Sequence, residues 1–177
     1  SCSVNRAKNL LLSPHQSALT RNGSSPLAHS GVDLSVVIPV KNESENVGPL
    51  LTEIRAALDA MRQDERPAYE VVFVDDGSND GTGEALKAAG NGFSGLRILR
   101  HETSCGQSTA IHSGIRHARG AWIATLDGDG QNDPADIPDL WRENVAAQEK
   151  SEGKGPQMVA GVRRKRKDTA AKRYASR

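Results

Sequence analysis

Residues 121–133 have the sequence AWIATLDGDGQND, in which a short apolar stretch runs directly into a group of carboxylates. Residues 121–126 predict a buried β-strand that delivers Asp127 to the edge of a sheet. Gly128 allows a tight turn, after which Asp129 faces the same point in space. Two carboxylates that converge on one point repel each other unless a cation lies between them. The stretch therefore predicts a strand end that carries a divalent-metal site.

The chain on either side of this stretch alternates between two kinds of pattern from Val32 onward. Short apolar runs rich in β-branched residues predict buried strands, and apolar residues at helical spacing predict the helices between them. The predicted strands are residues 34–40, 69–74, 96–99, 121–126 and 158–162, and the predicted helices are residues 47–61, 81–89, 109–118 and a segment that begins at Pro134 or Pro138. This alternation predicts an α/β fold with a mainly parallel sheet and helices on both faces.

Ligands of such sheets bind beyond the carboxyl ends of the strands, so the residues just after each strand are the candidates for function. Acidic and small polar side chains crowd these positions, as a phosphorylated ligand with a metal would require. The positions are residues 41–43, 75–78, 101–107 and 127–133. The sequence therefore predicts one binding site at this edge of the sheet.

The oxygen ligands in the DGDG stretch select a hard cation, Mg²⁺ or Mn²⁺, which keeps waters and phosphate oxygens as its other ligands. Gln131 has the chemistry to assist Asp127 and Asp129. An EF-hand loop that starts at Asp127 is excluded, because Asn132 and Pro138 stand where that loop needs glycine and glutamate. A haloacid-dehalogenase-type phosphatase carries its aspartate pair on the first strand, whereas three predicted strands precede this pair. An acidic surface turn is the remaining alternative.

A second acidic group, VDDGSNDGT at residues 74–82, begins at the end of the predicted strand 69–74. A carboxylate at a strand end can accept a hydrogen bond from the ring N–H of uracil or guanine, and Asp75 is the candidate. The alternative is that Asp80 or a neighbour caps the helix that follows, and both interpretations can hold at once. A dinucleotide-binding G-x-G-x-x-G is incomplete, because Leu86 stands in place of the third glycine.

The composition excludes several classes of function. Aromatic residues make up only 3% of the chain, which argues against a stacking surface for nucleic acid. The 2 cysteines cannot form a disulfide framework or a thiolate metal site, and the sequence places no base near Cys105, which favours an inert thiol. No apolar run approaches the ~18 residues that a membrane-spanning helix requires.

The two ends of the chain differ from its middle in composition. Residues 1–31 contain seven serines, three basic residues and no acidic residue, which indicates a disordered extension or an organellar transit peptide. Residues 163–177 contain eight Lys or Arg and one Asp. This basic segment predicts contact with an anion, such as a diphosphate, a lipid phosphate or an anionic membrane surface. A solvated basic segment is the alternative.

Five segments in their order along the chain resemble one enzyme family far more specifically than any of them does alone. They are VVIPVKNE, VFVDDGSNDGT, GQSTAIHSGIRHARG, TLDGDGQNDP and VAGVRRKRKD. Together they resemble the family 2 inverting glycosyltransferases with the Rossmann-like GT-A fold, in particular the dolichol-phosphate mannosyltransferase-like group. That group transfers a sugar from a nucleotide-diphosphate sugar to a polyprenyl phosphate. The resemblance implies that residues 32–177 form a GT-A domain.

The resemblance implies a UDP- or GDP-linked sugar as donor, a polyprenyl phosphate as acceptor, and Mg²⁺ or Mn²⁺ as cofactor. The residues that it carries to the nucleotide pocket are Pro39, Glu43, Asp75, Asp76 and Gly77. The residues that it carries to the metal and diphosphate of the catalytic centre are Asp127, Asp129 and Gln131. The residues that it carries to the acceptor or donor phosphate are Arg163 and Arg164.

Members of the group usually continue well past this length, with helices that approach or enter the membrane. We therefore expect an incomplete domain that lies at the cytoplasmic face of a membrane without a spanning segment. A truncated chain that binds nucleotide sugar but cannot transfer it is an alternative function. Transfer to a saccharide hydroxyl is another alternative, and it would need a carboxylate base for which the sequence offers no clear residue.

Overall fold

The computed structural model of the protein describes residues 10–12, 31–129, 132–150 and 158–160. Its strands are β1 (Leu10–Leu12), β2 (Leu34–Val40), β3 (Tyr69–Asp75), β4 (Leu96–Arg100), β5 (Trp122–Thr125) and β6 (Met158–Ala160). Its helices are α1 (Val47–Asp59), α2 (Thr82–Ala89), α3 (Gln107–His117) and α4 (Asp136–Lys150). Within these residues, no helix is both long enough and apolar enough to cross a bilayer.

One sheet connects all the described strands, in the order β4-β3-β2-β5-β1-β6. Strand β2 pairs in parallel with β3 on one side and with β5 on the other, and β3 pairs in parallel with β4. The chain therefore builds the sheet outward from β2 to β4 and then returns to the other side of β2. This reversal places a crevice at the carboxyl end of β2, where ligands of such sheets bind.

Strand β1 was missed by the sequence analysis, which left residues 1–31 out of the fold. Leu11 pairs antiparallel with Ala124 of β5 and with Val159 of β6. Three leucines in a row show neither the alternation of an exposed strand nor the length of a buried one, so their pattern carried no strand signal. Residues 10–12 therefore pair within the sheet, and the assignment of residues 1–31 to a disordered or leader-like extension stays a prediction for the rest of that stretch.

The parallel sheet is covered by helices on both faces, as the sequence predicted. All seven residues of β2 are buried, because this strand lies in the middle of the sheet. Its even-numbered residues from Leu34 to Val40 pack with α1, α2 and α4. Val37 faces the other way and packs with Ala110 of α3 and Ile123 of β5. A strand covered on both faces has a continuous apolar sequence, and that pattern made it recognisable.

Helix α3 approaches the sheet closely through a glycine. A Cβ at Gly114 would overlap the Val37 side chain and would lie 3.0 Å from Cγ2 of Val74. Only a residue without a side chain lets the helix backbone come this near to β2 and β3. The close approach fixes the helix axis, and with it the position at which α3 begins.

A buried carboxylate ties the amino ends of the strands together, on the side opposite the candidate site. Glu70 is 3% exposed, and its Oε1 accepts hydrogen bonds from Ser35 Oγ at 2.7 Å and from Arg119 N at 2.7 Å. Its Oε2 lies 3.4 Å from Nη1 of Arg97. Ser35 Oγ also accepts a hydrogen bond from Gly120 N at 2.8 Å. These bonds fasten the turn between α3 and β5 to β2, β3 and β4.

Replacing this carboxylate should destabilise the fold. Glu70→Ala leaves Ser35 and the Arg119 N–H without their acceptor and leaves the charge of Arg97 uncompensated, so we expect a loss of about 3 kcal/mol in the free energy of unfolding. Denaturation by urea measures it. Glu53→Ala, at an exposed position of α1, should change the same quantity by less than about 0.5 kcal/mol. Equal effects of the two substitutions would contradict a structural role for Glu70.

Candidate functional site

The loops that follow β2, β3 and β5 meet at the carboxyl edge of the sheet. Val40 stands opposite Asp75 in the register of β2 and β3. On the other side of β2, a Cβ at Gly128 would lie 2.8 Å from the carbonyl oxygen of Pro39. The DGDG loop therefore packs directly on the end of β2, and the structure brings the predicted residues Pro39, Asp75 and Asp127 to this edge.

Asp75 is fully buried and only partly satisfied by the protein. Its Oδ1 accepts a hydrogen bond from Ser78 N at 2.9 Å. Its Oδ2 is buried and accepts no hydrogen bond from the described residues. A buried carboxylate oxygen without a donor is unfavourable, so this oxygen is suited to a donor that a ligand brings.

Arg100 lies beside this oxygen and was missed by the sequence analysis. Its Nε is 3.6 Å from Oδ2 of Asp75, and its Nη2 donates to the carbonyl of Ser78 at 3.1 Å. Gly83 of α2 leaves room for the guanidinium, because a Cβ there would lie 3.2 Å from Nη1. The Arg100 side chain is 55% exposed, so it lies at the surface beside the buried Asp75. The one available signal was a basic residue at the end of a strand.

Asp76 differs from Asp75 because the protein supplies hydrogen-bond donors to both of its carboxylate oxygens. Oδ1 accepts from Cys105 N at 2.8 Å and is 2.7 Å from Nδ1 of His101. Oδ2 accepts from Ser104 Oγ at 2.8 Å and from Gly106 N at 2.9 Å. Burial by itself raises the pKa of Asp76, but these hydrogen bonds outweigh it and hold the pKa well below its ordinary value. Its predicted contact with the nucleotide stays a prediction, and its observed contacts are with the loop before α3.

His101, Asp76 and Cys105 also have the composition of a possible metal site, since one ligand atom from each lies within 4.8 Å of the others. The hydrogen bonds in this cluster, however, already use its ligand atoms. His101 Nδ1 donates to Asp76, and His101 Nε2 is 2.9 Å from the Ser113 hydroxyl. Cys105 Sγ donates to the carbonyl of Thr103 at 3.3 Å. The cluster is therefore a hydrogen-bonded unit, separate from the predicted metal residues Asp127 and Asp129.

Gly77 is required by the packing of the same loop. It has a positive φ of 70°, and a Cβ there would lie 2.8 Å from the backbone nitrogen of Ser104. A larger residue would push away the loop that Asp76 binds. The structure thus gives Gly77 a packing role, and its predicted part in nucleotide binding stays a prediction.

The loop after β2 is held to the loop after β3 by four hydrogen bonds. The pattern pairs backbone N–H groups with short polar side chains, which fixes the loops without a helix or strand. The bonds run from Asn42 N to Ser78 Oγ (2.9 Å), from Asn79 N to Asn42 Oδ1 (3.0 Å), from Glu43 N to Thr82 Oγ1 (2.9 Å) and from Ser44 N to Asp80 Oδ2 (3.2 Å). The backbone of Glu43 is therefore fixed beside α2, and its side chain accepts a hydrogen bond from Asn46 Nδ2 at 2.5 Å.

Asp80 lies one residue before the N-cap Gly81 and accepts the N–H of the first residue of helix α2, so it performs the capping that one of the two interpretations of the sequence predicted. Its Oδ1 accepts from N and Oγ1 of Thr82, the first helical residue, at 3.1 and 2.5 Å. These hydrogen bonds lower the pKa of Asp80 to about 2, and the hydrogen bond from the Thr82 hydroxyl makes the largest contribution. Capping therefore belongs to Asp80, and Asp75 takes no part in it.

Asp127 is half-buried and contacts the first residue of α3. Its Oδ1 accepts a hydrogen bond from Nε2 of Gln107 at 2.8 Å. Asp129 is exposed, two residues further along the loop. The two carboxylates supply the oxygen donors that Mg²⁺ and Mn²⁺ prefer, so the donor set fits such a cation. The predicted ligand Gln131 and the predicted phosphate contacts Arg163 and Arg164 lie outside the described residues.

Comparison with known proteins gives the family. A family model described as "Glycosyl transferase family 2" matches residues 35–169. The chain belongs to this family. Among curated family relatives, it is 40% identical over 138 residues to the dodecaprenyl-phosphate galacturonate synthase of Rhizobium johnstonii, a match that covers 77% of this chain and 38% of that protein. It is 39% identical over 148 residues to the undecaprenyl-phosphate 4-deoxy-4-formamido-L-arabinose transferase of Shewanella sediminis, covering 81% of this chain and 40% of that one.

Solved structures of glycosyltransferases share the fold. Staphylococcus aureus TarS 1–349 superposes with a TM-score of 0.52 at 22% identity, over 68% of this chain and 33% of that one. The mannosyltransferase PcManGT from Pyrobaculum calidifontis, in complex with GDP-Man and Mn²⁺, has a TM-score of 0.51 at 24% identity, over 67% of this chain and 33% of that one. The GT-A fold implied by the sequence resemblance is confirmed. The chain spans about two fifths of the length of the curated relatives that it matches.

The hydrogen bonds of Asp76 predict how stability depends on pH. A carboxyl whose pKa is lowered in the folded state stabilises the fold above its unfolded pKa of about 3.9 and loses that contribution as the pH falls further. Asp76→Asn keeps the shape but places an amide among donors, so we expect a loss of about 2 kcal/mol at pH 7.

Urea denaturation of both proteins between pH 7 and pH 3 measures this effect. The difference between parent and variant should be largest at neutral pH and should shrink below about pH 4. Asp64→Asn, which removes the same charge at an exposed position, controls for net charge. A difference that stays constant over this pH range would contradict the ionised hydrogen-bonded state of Asp76.

Proposed function

We propose that the chain is the donor-binding part of a metal-dependent inverting glycosyltransferase that transfers a sugar from a nucleotide-diphosphate sugar to a polyprenyl phosphate. The observation that carries the proposal is the placement of Asp75 and Asp127 on the two sides of the end of β2, in a chain of glycosyl transferase family 2. The names of the two relatives, a dodecaprenyl-phosphate galacturonate synthase and an undecaprenyl-phosphate transferase, support the acceptor class.

The base of the donor binds at Asp75 in this proposal. The buried Oδ2 accepts the ring N–H of uracil or guanine, which supplies the missing hydrogen bond. The loops after β2 and β3, which are joined by hydrogen bonds, hold Pro39 and Glu43 where the nucleotide pocket is expected. Because these loops are fixed before a ligand arrives, less conformational entropy is lost on binding.

The diphosphate lies toward Asp127 and Asp129, on the other side of β2. These carboxylates, with Gln131, would hold Mg²⁺ or Mn²⁺, and the cation would neutralise the charge that develops on the departing nucleotide diphosphate. The support is the oxygen donor set at a strand end, together with the structural likeness to a mannosyltransferase solved with GDP-Man and Mn²⁺. The separation of the two acidic groups by β2 keeps the base and the diphosphate apart.

The acceptor requires little help from a protein base. A phosphate monoester is ionised at neutral pH, so its oxygen can attack the anomeric carbon in line with the leaving diphosphate without first losing a proton to the enzyme. The basic segment that includes Arg163 and Arg164 would attract this phosphate and an anionic membrane surface at the cytoplasmic face. A saccharide hydroxyl as acceptor is the less favoured alternative, because it needs a carboxylate base.

Removing the acceptor atom at Asp75 should weaken nucleotide binding. Asp75→Asn replaces the carboxylate with an amide, and loss of a charged acceptor costs on the order of 2 kcal/mol, or roughly 30-fold in affinity. Calorimetric titration with UDP- and GDP-linked sugars measures this and identifies the base. Asp139→Asn on α4 should bind like the parent, because Asp139 pairs with Arg142, which also pairs with Glu65 in the segment before β3. Unchanged affinity in Asp75→Asn would show that Asp75 is structural.

The metal should act through the DGDG loop. Asp129→Asn keeps the fold because Asp129 is exposed, and it should abolish the gain in nucleotide affinity that Mn²⁺ produces in the parent. The measurement is the same titration with Mn²⁺ and with EDTA. Asp64→Asn is the control, since it removes the same charge at an exposed position outside this loop. An undiminished Mn²⁺ effect in Asp129→Asn would rule out Asp129 as a ligand.

A further inference from the structure

The amide of Gln107 donates a hydrogen bond to the acidic loop after β5. Gln107 begins α3, is exposed, and donates from Nε2 to Oδ1 of Asp127 at 2.8 Å. The two residues are twenty positions apart in sequence, so the contact is made by the fold and not by a local turn. An amide donor can hold a carboxylate without neutralising its charge.

The position of Gln107 is itself fixed from two directions. The backbone N–H groups of Cys105 and Gly106, directly before it, donate to the buried carboxylate of Asp76. Further along the helix, Gly114 packs against β2 and β3. The start of α3 is therefore anchored to the end of β3, and Gln107 connects that anchor to the loop after β5.

We propose that Gln107 is a positioning residue that orients the Asp127 carboxylate for the divalent cation. The inference rests on the proposed function, because it concerns the same metal site. A carboxylate side chain rotates about two bonds, and a hydrogen bond to one oxygen removes much of that freedom before the metal arrives. Residues that donate a hydrogen bond to a metal ligand typically account for about 10–100-fold in metal affinity.

The proposal also gives a reason for the position of Gln107 at the start of α3. Asp76 fixes the helix start and Gln107 fixes Asp127, so the two acidic groups flanking β2 are held at one separation. A donor whose base lies near Asp75 and whose diphosphate lies near Asp127 requires that separation. If Gln107 served only to begin the helix, its replacement would change stability and leave metal affinity unchanged.

The test replaces the amide with a side chain of similar length that cannot donate, Gln107→Met. Mn²⁺ affinity is measured by electron paramagnetic resonance of the free ion, and UDP and GDP binding is measured by calorimetry with Mn²⁺ and with EDTA. We expect about tenfold weaker Mn²⁺ binding and a smaller Mn²⁺-induced gain in nucleotide affinity. Nucleotide binding in EDTA and the unfolding temperature should match the parent. Ser108→Ala, at the next exposed position, should match the parent in all four measurements.

Two results would overturn the role of Gln107 while leaving the proposed function in place. The first is parental Mn²⁺ affinity in Gln107→Met under conditions where Asp129→Asn has lost it. The second is an equal loss of nucleotide affinity with Mn²⁺ and with EDTA, which would indicate a structural role. A parent that binds neither nucleotide nor Mn²⁺ would overturn both proposals.

Discussion

A buried carboxylate must find hydrogen-bond donors inside the protein, and at Asp76 this requirement shapes the whole carboxyl edge of the sheet. Asp76 is 3% exposed, one residue after β3, and its donors come from the stretch between β4 and α3. That stretch contains no secondary structure of its own. Because two of the donors are N–H groups directly before α3, the helix begins where Asp76 holds it. The position of Gln107, which contacts Asp127, depends on this carboxylate together with the packing of Gly114.

The second constraint is the close approach of backbone to backbone at the end of β2. Gly77 admits the loop that Asp76 binds, and Gly128 admits the acidic loop onto Pro39. Neither contact would accept a Cβ without moving backbone. The candidate site is therefore built from loops pressed against a central strand, and side chains such as Asp75 and Asp127 are presented by a framework that is already rigid. This arrangement suits a ligand that spans β2.

The fold was largely predictable from the sequence, because buried parallel strands and amphipathic helices leave strong periodic patterns. Strand β1 was not, since three residues carry no period. The positions of Asp75 and Asp127 followed from the rule that ligands bind at strand ends. Gln107 lies at the end of residues 101–107, which the same rule marked as candidates, but its contact with Asp127 depends on the fold and on no local pattern. The place of Arg100 beside Asp75 likewise depends on a contact between strands. The assignments of Gln131, Arg163 and Arg164 stay predictions.

Asp75 and Asp76 show why adjacent residues of one type can differ in function. Strand geometry turns successive side chains to opposite faces, so a sequence of two aspartates cannot say which of them meets a ligand. Asp76 faces the loop before α3 and is satisfied at both oxygens. Asp75 faces α2, where Ser78 satisfies one oxygen and the other stays without a donor. A fold that satisfied both would have no preference for a ligand, and one that satisfied neither would be strained. The division of hydrogen bonds between the two residues stabilises the edge and leaves Asp75 with the free acceptor that the proposed donor binding uses.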